Sequence, residues 1–408
     1  MKRPAAERDW TPIDQLLDLL DQSPLVTGAQ ITLLRADILV RKGDSRAALA
    51  LLRDQVEADP SSPQPWAALA LLVLREQGLE ATRELLRTAP ADLVEDPLLL
   101  LVRAQMAARA PAEESAPALA SLVEKASGLP TEQSTQLLSS IASIHRGMGD
   151  RGLAEKTWRL ALEKRPDDLP IRTALFELAC EQGDVDKAQP AAAEIARLTG
   201  PTSPQGRVAN AAALILGVRV QQAKKASLLD ARDRRVDSLD LSREENEQLL
   251  AAKNLLIEAE NDRPGWAQIQ QLFAEIAGLQ GDLPTAIERL QQATRMGPTN
   301  PAVIRQLVSL LYLTNRLDEA QQALALVGPD GLDGVDRISA EMDLRAGQFD
   351  AAVAMAERSL ASKQNHSASD LLWFGQLLAR AGKTDRATQV LQEALDADPS
   401  QPAGWMAM

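Results

Sequence analysis

Few residues in this sequence carry the chemistry of catalysis or metal binding. It holds two histidines, His145 and His366, and one cysteine, Cys180. Two imidazoles are too few for a histidine-built zinc site, and one thiol gives neither an intramolecular disulfide nor a CxxC pair. Glu177, Glu181 and Asp184 stand near Cys180 in the sequence, and acidic neighbours withhold the thiolate that a nucleophile needs. His145 falls on an inward stripe with Ile141 and Ala142, so a packing role with partial burial and a local hydrogen bond is expected. His366, in Asn365-His366-Ser367, is expected in a turn. The run Gly328–Gly334 brings two aspartates together but lacks the register and closing glutamate of a calcium loop, and reads as a turn between helices. The sequence contains no HExxH, GxxxxGK[ST] or GxSxG, and no GxGxxG following a strand. The expectation is a protein that is not an enzyme and carries no cofactor or metal.

The elements that position these residues follow from composition and spacing. The 408 residues include 44 Lys+Arg against 57 Asp+Glu, a net charge of −13. Such a balance offers no global basic footprint for phosphates and argues against nucleic acid. The apolar fraction of 45% excludes wholesale disorder, and with only 3% aromatic residues the core must be filled by Leu and Ala, which favour helices. The longest apolar run, Trp66 to Leu74, is about half of the roughly 18 residues that span a bilayer. The N-terminal Met1–Trp10 has no apolar segment behind its basic residues, so a cytoplasmic location is expected.

A marker recurs along the chain. Gly43, Gly149, Gly183, Gly281, Gly347 and Gly382 each have Ala five residues later, at Ala48, Ala154, Ala188, Ala286, Ala352 and Ala387, and Asn315 with Ala320 repeats the pattern. Pro60, Pro166, Pro298 and Pro399 follow four of these glycines by 17 residues, and Ala161, Ala293 and Ala394 follow three of them by 12. Successive markers at 149 and 183, and at 281 and 315, stand 34 apart. Gly or Asn ends one helix in the left-handed region, and the Asp after Gly43, Gly149, Gly183 and Gly281 can cap the next. The alanines allow two helices to cross closely, and proline stops the second helix. Each unit is a helix hairpin that must stack on its neighbours to bury its apolar stripe.

With this period, these small residues and the closing proline, the chain resembles the tetratricopeptide repeat family. Trp66 and Trp405, six residues beyond Pro60 and Pro399, and the small residues Ala36, Ala142, Ala274, Ala340 and Gly375 extend the match into the first helix of each unit. It covers about three-quarters of the chain. The resemblance implies an all-α, right-handed superhelical solenoid of helix–turn–helix repeats, used mainly to bind other proteins.

The expected organisation is an N-terminal capping helix within 1–28, a first repeat block over 29–202, an enlarged irregular pair over 203–266, a second block over 267–401, and the start of a truncated further repeat at 402–408. The capping helix begins with Thr11 as cap and Pro12, and turns Ile13, Leu16, Leu17 and Leu20 inward. Within the first block, 63–134 is degenerate, with helices expected over Trp66–Gln77, Leu79–Thr88, Pro97–Arg109 and Ala116–Ser127 around a loosened turn at 108–114. In the enlarged pair, a helix from Gln205 to the Arg232 region and another over Ser242–Asn261 flank a charged connector, Asp230–Glu247. Trp66, Trp158, Trp266, Trp373 and Trp405 are expected to fill space between repeats.

The family geometry implies that the first helix of each pair lines the concave face. The candidates there are Arg305, Ser309 and Tyr312, then Arg337, Glu341 and Arg345, then Gln376 and Arg380, while Asp37, Gln136, Ser139, Ser143 and Glu177 are their N-terminal counterparts. Arginines in an acidic protein suit an acidic segment or chain carboxylate, which they bind in bidentate fashion. The expected role is a non-enzymatic scaffold for a protein or peptide partner, with self-association also open. The alternative is the docking portion of a larger enzyme or secretion or assembly machine whose active part lies outside the chain.

Overall fold

A computed structural model describes residues 9–21, 27–230, 240–296, 300–326, 335–361 and 367–397. Among them the fold is all-α, with 21 α-helices in two compact units, Met1–Leu198 and Thr199–Met408. The first unit opens with α1 (Thr11–Asp21) and continues as hairpins: α2/α3 (Gly28–Lys42, Ser45–Ala58), α4/α5 (Pro63–Glu76, Leu79–Arg87), α6/α7 (Pro97–Ala107, Ala112–Ser127), α8/α9 (Thr131–Gly147, Arg151–Lys164) and α10/α11 (Leu169–Gln182, Val185–Thr199). The second contains α12/α13 (Pro204–Asp230, Arg243–Asp262), α14/α15 (Ala267–Leu279, Leu283–Met296), α16/α17 (Pro301–Leu313, Leu317–Leu324), α18/α19 (Asp336–Arg345, Phe349–Ala361) and α20/α21 (Ala368–Arg380, Thr384–Ala397).

The turn markers perform the expected work. Gly43 has φ +89° and Asn315 φ +58°, the left-handed conformation that lets amides of the turn return to the carbonyls of the preceding helix. Asp44, Asp150, Asp184 and Asp282 then accept the backbone N–H three residues on, at 3.0, 3.2, 3.1 and 3.1 Å. The alanines five residues after each marker are all buried, six of the seven completely. Gly375 meets the same requirement on α20, packed directly on Leu391.

Each unit is a solenoid with no single centre. In the second unit, one apolar cluster joins α12, α13 and α14 through Ile215, Leu249 and Ile269. The next runs from Ala274 to Met342 across α14 to α18, and a third joins α18 to α21 through Leu344, Phe374 and Ala387. Burial is thus supplied between neighbours, as stacked repeats require. The first helices also touch one another, α4 with α6, α6 with α8, α12 with α14, α16 with α18, and α18 with α20, giving each run a face made of first helices.

The degenerate stretch keeps the same architecture by substitution. Counting from the residue before each second helix of the first unit, the small buried position is the fourth. Asp44 leads to Ala48 and Asp150 to Ala154, while Gly78 leads to Thr82 and Pro111 to Ser115, both fully buried. Gly78 is itself the cap residue, with φ +88°, so its turn is one residue shorter and the glycine-to-alanine spacing is lost. The residues Asp44, Gly78, Pro111, Asp150 and Asp184 stand 34, 33, 39 and 34 residues apart.

Several expectations need correction. The loosened turn ends earlier than expected, because α7 begins at Ala112 and accommodates Pro117 in its second turn. Thr11 does not supply the cap of α1; the Asp9 carboxylate accepts its N–H at 3.0 Å. The inward stripe of α1 is also reduced to one buried residue, Leu17, with Ile13 39% and Leu16 56% exposed. This helix packs on α2, where Lys42 Nζ lies 2.8 Å from Asp14 and over the Trp10 ring, while Arg35 reaches Asp18 and Asp21. Trp66 and Trp158 are buried as expected, with Trp66 Nε1 donating to the Pro60 carbonyl at 2.9 Å. Trp266 and Trp373 are only half-buried and carry arginines on their rings. Residues 231–239 of the charged connector, the Gly328–Gly334 turn, His366, Pro298, Pro399 and 402–408 lie outside the described residues.

Candidate functional site

The residues expected to face a partner gather on α16, α18 and α20. Their spacing within each helix is three or four, so they share one side, and stacking brings the three helices into register. Ser309 is turned back on its own helix, its hydroxyl donating to the Arg305 carbonyl at 2.8 Å. Arg305 is half-buried and has no ion-pair partner among the described residues.

The other arginines bridge one repeat to the next. Arg345 of α18 lies 4.9 Å from the centre of the Tyr312 ring of α16 and reaches the Asn315 Oδ1 at 3.4 Å. Arg380 of α20 meets Glu341 of α18 at 2.7 Å. Arg337 of α18 bonds Asp370 at the start of α20 and lies 4.7 Å over Trp373. Gln376 is exposed between them. Guanidinium groups stacked on aromatic rings keep an edge for further hydrogen bonds, so this face is cationic in part and internally cross-braced in part.

A similar brace recurs in the first unit. Arg146 of α8 reaches Glu177 of α10 at 3.1 Å and also bonds Glu181. Among the other N-terminal candidates, Asp37 pairs with Arg41 at 2.7 Å, Ser143 donates to the Ser139 carbonyl at 2.9 Å, and Gln136 is exposed. A shallow recess between α6 and α8 is lined by Leu101, Gln105, Ser140, Ser143 and Met148. It is neutral, whereas the α16–α18–α20 face carries arginines.

Sequence reasoning located the arginines but missed their bridging, since the acidic and aromatic partners belong to other repeats, about 30 residues away. A signal was nevertheless present: Tyr312 and Arg345, like Arg337 and Asp370, are separated by 33, close to one repeat.

Of the groups with catalytic chemistry, His145 and Cys180 lie among the described residues. His145 is 5% exposed; burial lowers its pKa, partly offset by the Asp150 carboxylate. The expected local hydrogen bond to its ring is not found among the described residues. Cys180 is half-buried on α10. Among the described residues no group of three or more His, Cys, Asp or Glu side chains could hold a metal ion, and no helix is long and apolar enough to cross a membrane.

Comparison with known proteins bears on the same segment. Residues 279–339 and 343–408 match the model of a tetratricopeptide repeat family. Among solved structures, the chain is similar to TTC0263, a thermophilic TPR protein of Thermus thermophilus. The identity is 21% and the TM-score 0.38, over 53% of this chain and 98% of that one. It is also similar to PilW, described as a widely conserved type IV pilus biogenesis factor, with 14% identity and a TM-score of 0.30 over 67% of this chain and 98% of that one. The comparison with curated proteins gave no match.

Proposed function

We propose that this chain, which belongs to the tetratricopeptide repeat family, is a non-enzymatic scaffold that binds a protein or peptide along the face of its first helices. Within that face, α16, α18 and α20 receive an acidic segment of the partner. The observation that carries this reading is the state of two arginines. Arg305 has no carboxylate partner among the described residues, and Arg345 is held by a ring and an amide oxygen rather than by an acid. A partner carboxylate gains a charge-assisted bond at either without displacing an existing ion pair. Arg337 and Arg380, already paired, instead hold the repeats in register. A cytoplasmic location belongs to the same reading.

The test is charge reversal at the two available arginines. Arg305→Glu with Arg345→Glu abolishes capture of native partners while the circular dichroism spectrum is unchanged. Undiminished capture by the double variant would refute the acidic-segment reading.

A further inference from the structure

Away from the first-helix face, the first unit contains two crevices built alike, each between two second helices and the first helix that separates them. One lies among α9, α10 and α11, with a volume of about 390 Å³; the other lies among α5, α6 and α7, with a volume of about 320 Å³. Counting from the residue that precedes each helix puts the two linings in correspondence. Met106 and Ala107 of α6 occupy the places of Leu178 and Ala179 of α10, and form the same apolar floor.

Their charges differ. At the fifth position of the preceding second helix, the α9 crevice has Glu155, paired at 2.9 Å with Lys187 of α11. The α5 crevice reverses that pair, with Arg83 at 2.6 Å from Glu114 of α7. At the tenth position of the closing helix, Glu194 in one crevice pairs with Arg172 and Arg197, whereas the other has Ser121. At the seventh position of the first helix, Leu175 in one is Arg103 in the other. The α9 crevice is therefore lined by three cations and three acids, whereas the α5 crevice has Arg83, Arg103 and Lys125 against Glu114 alone.

Arg103 is the unusual member. It is half-buried, and no acid among the described residues lies within ion-pair distance of it. Arg83 is occupied by Glu80 and Glu114, and Lys125 by Glu95 at 2.7 Å. The Glu95 carboxyl is held below its ordinary pKa first by the Lys125 hydrogen bond, against burial, and also by the charges of Lys125 and Arg103. The Arg103 guanidinium stands beside an apolar floor where the sister crevice places leucine, and it makes no hydrogen bond to a side chain or carbonyl among the described residues, so its donors are open to an anion.

We propose that the α5–α6–α7 crevice binds a carboxylate carried on an apolar body, such as the carboxyl end of a peptide that finishes in an aliphatic residue. The carboxylate pairs with Arg103, and the aliphatic group lies on Met106, Ala107 and Leu122. One cation without an ion-pair partner suits a single negative charge; a dianionic phosphate would demand more free donors than Arg83 and Lys125 leave.

The Met106 methyl group reports on the crevice directly. The full chain, labelled with ¹³C at its methionine methyls, is titrated with N-acetyl-leucine, with the neutral N-acetyl-leucinamide and with inorganic phosphate. The expected result is a saturable Met106 shift with N-acetyl-leucine in the millimolar range, with binding of the amide and of phosphate about tenfold weaker or absent, a difference of about 1.4 kcal/mol. Arg103→Leu, which copies the sister crevice, abolishes the shift by N-acetyl-leucine. No saturable shift, an equal response to the amide or to phosphate, or a response that survives in Arg103→Leu would overturn the proposal. Should that variant misfold, the comparison of acid with amide on the unaltered chain decides alone.

Discussion

A methyl group placed on Gly375 of α20 would stand 2.6 Å from Cγ of Leu391 on α21, a side chain that is itself buried. The hairpin closes on this contact, and the residue that permits it occupies the small position of a first helix. By contrast, Gly278 near the end of α14 has no atom within 4 Å of such a methyl. Gly375→Ala is therefore expected to lower stability by about 1–3 kcal/mol through overpacking, although alanine favours helix. Gly278→Ala is expected to raise stability by up to about 1 kcal/mol through propensity alone. Urea unfolding followed by circular dichroism gives the two signs; a stabilising Gly375→Ala would contradict the close crossing.

Two serines separate a useful hydroxyl from a costly one. Ser134 in the first turn of α8 is completely buried, and its Oγ has no partner among the described residues. Ser367 caps α20, its Oγ accepting from the Asp370 N–H at 3.1 Å while Asp370 Oδ2 accepts from the Ser367 N–H at 3.1 Å. Ser134→Ala should be neutral or stabilising by about 1 kcal/mol, and Ser367→Ala should cost about 1 kcal/mol. Thermal denaturation of the pair checks the opposite signs.

The long pair α12/α13 is tied at its open end by Glu245, whose side chain is 1% exposed. Its Oε2 accepts from Lys225 Nζ at 2.6 Å, Gln222 Nε2 at 2.9 Å and the Ser242 N–H at 2.7 Å. Burial opposes its charge, but the Lys225 and Ser242 bonds outweigh burial and hold the carboxyl below its ordinary pKa. A lowered folded-state pKa means that the stabilisation is complete above the unfolded value and fades as pH falls through the folded one. Hydrogen exchange of the α12 and α13 amides should accelerate as the pH is lowered from about 5 towards 3, after correction for intrinsic rates. In Glu245→Gln the protection should be weaker near pH 7 and its acid dependence flatter. An unchanged acid profile in that variant would show that Glu245 does not control this end of the pair.

The legible part of the fold was the part fixed by single positions. Gly43 and Asn315 need a left-handed backbone, and Ala48 and Ala320 need a close crossing, so their identities expose the turn and the packing together. Gly78 escaped because its turn is one residue shorter, although it stands 35 residues after Gly43; Thr82 and Ser115 escaped because small polar residues fill the alanine site. At the candidate site, Arg337 and Arg380 were visible as charges but not as bridges. Their partners depend on the registration of separate repeats, which a reading of one helix does not contain.

The first-helix face itself is tested most directly by site-specific photo-cross-linking from two exposed positions in cells, Gln376 on α20 and Glu393 on α21. A photoreactive residue at 376 should yield discrete protein adducts that disappear when Arg305 and Arg345 are both changed to Glu, and the probe at 393 should yield none. Adducts from 393 with none from 376 would contradict binding along the first helices.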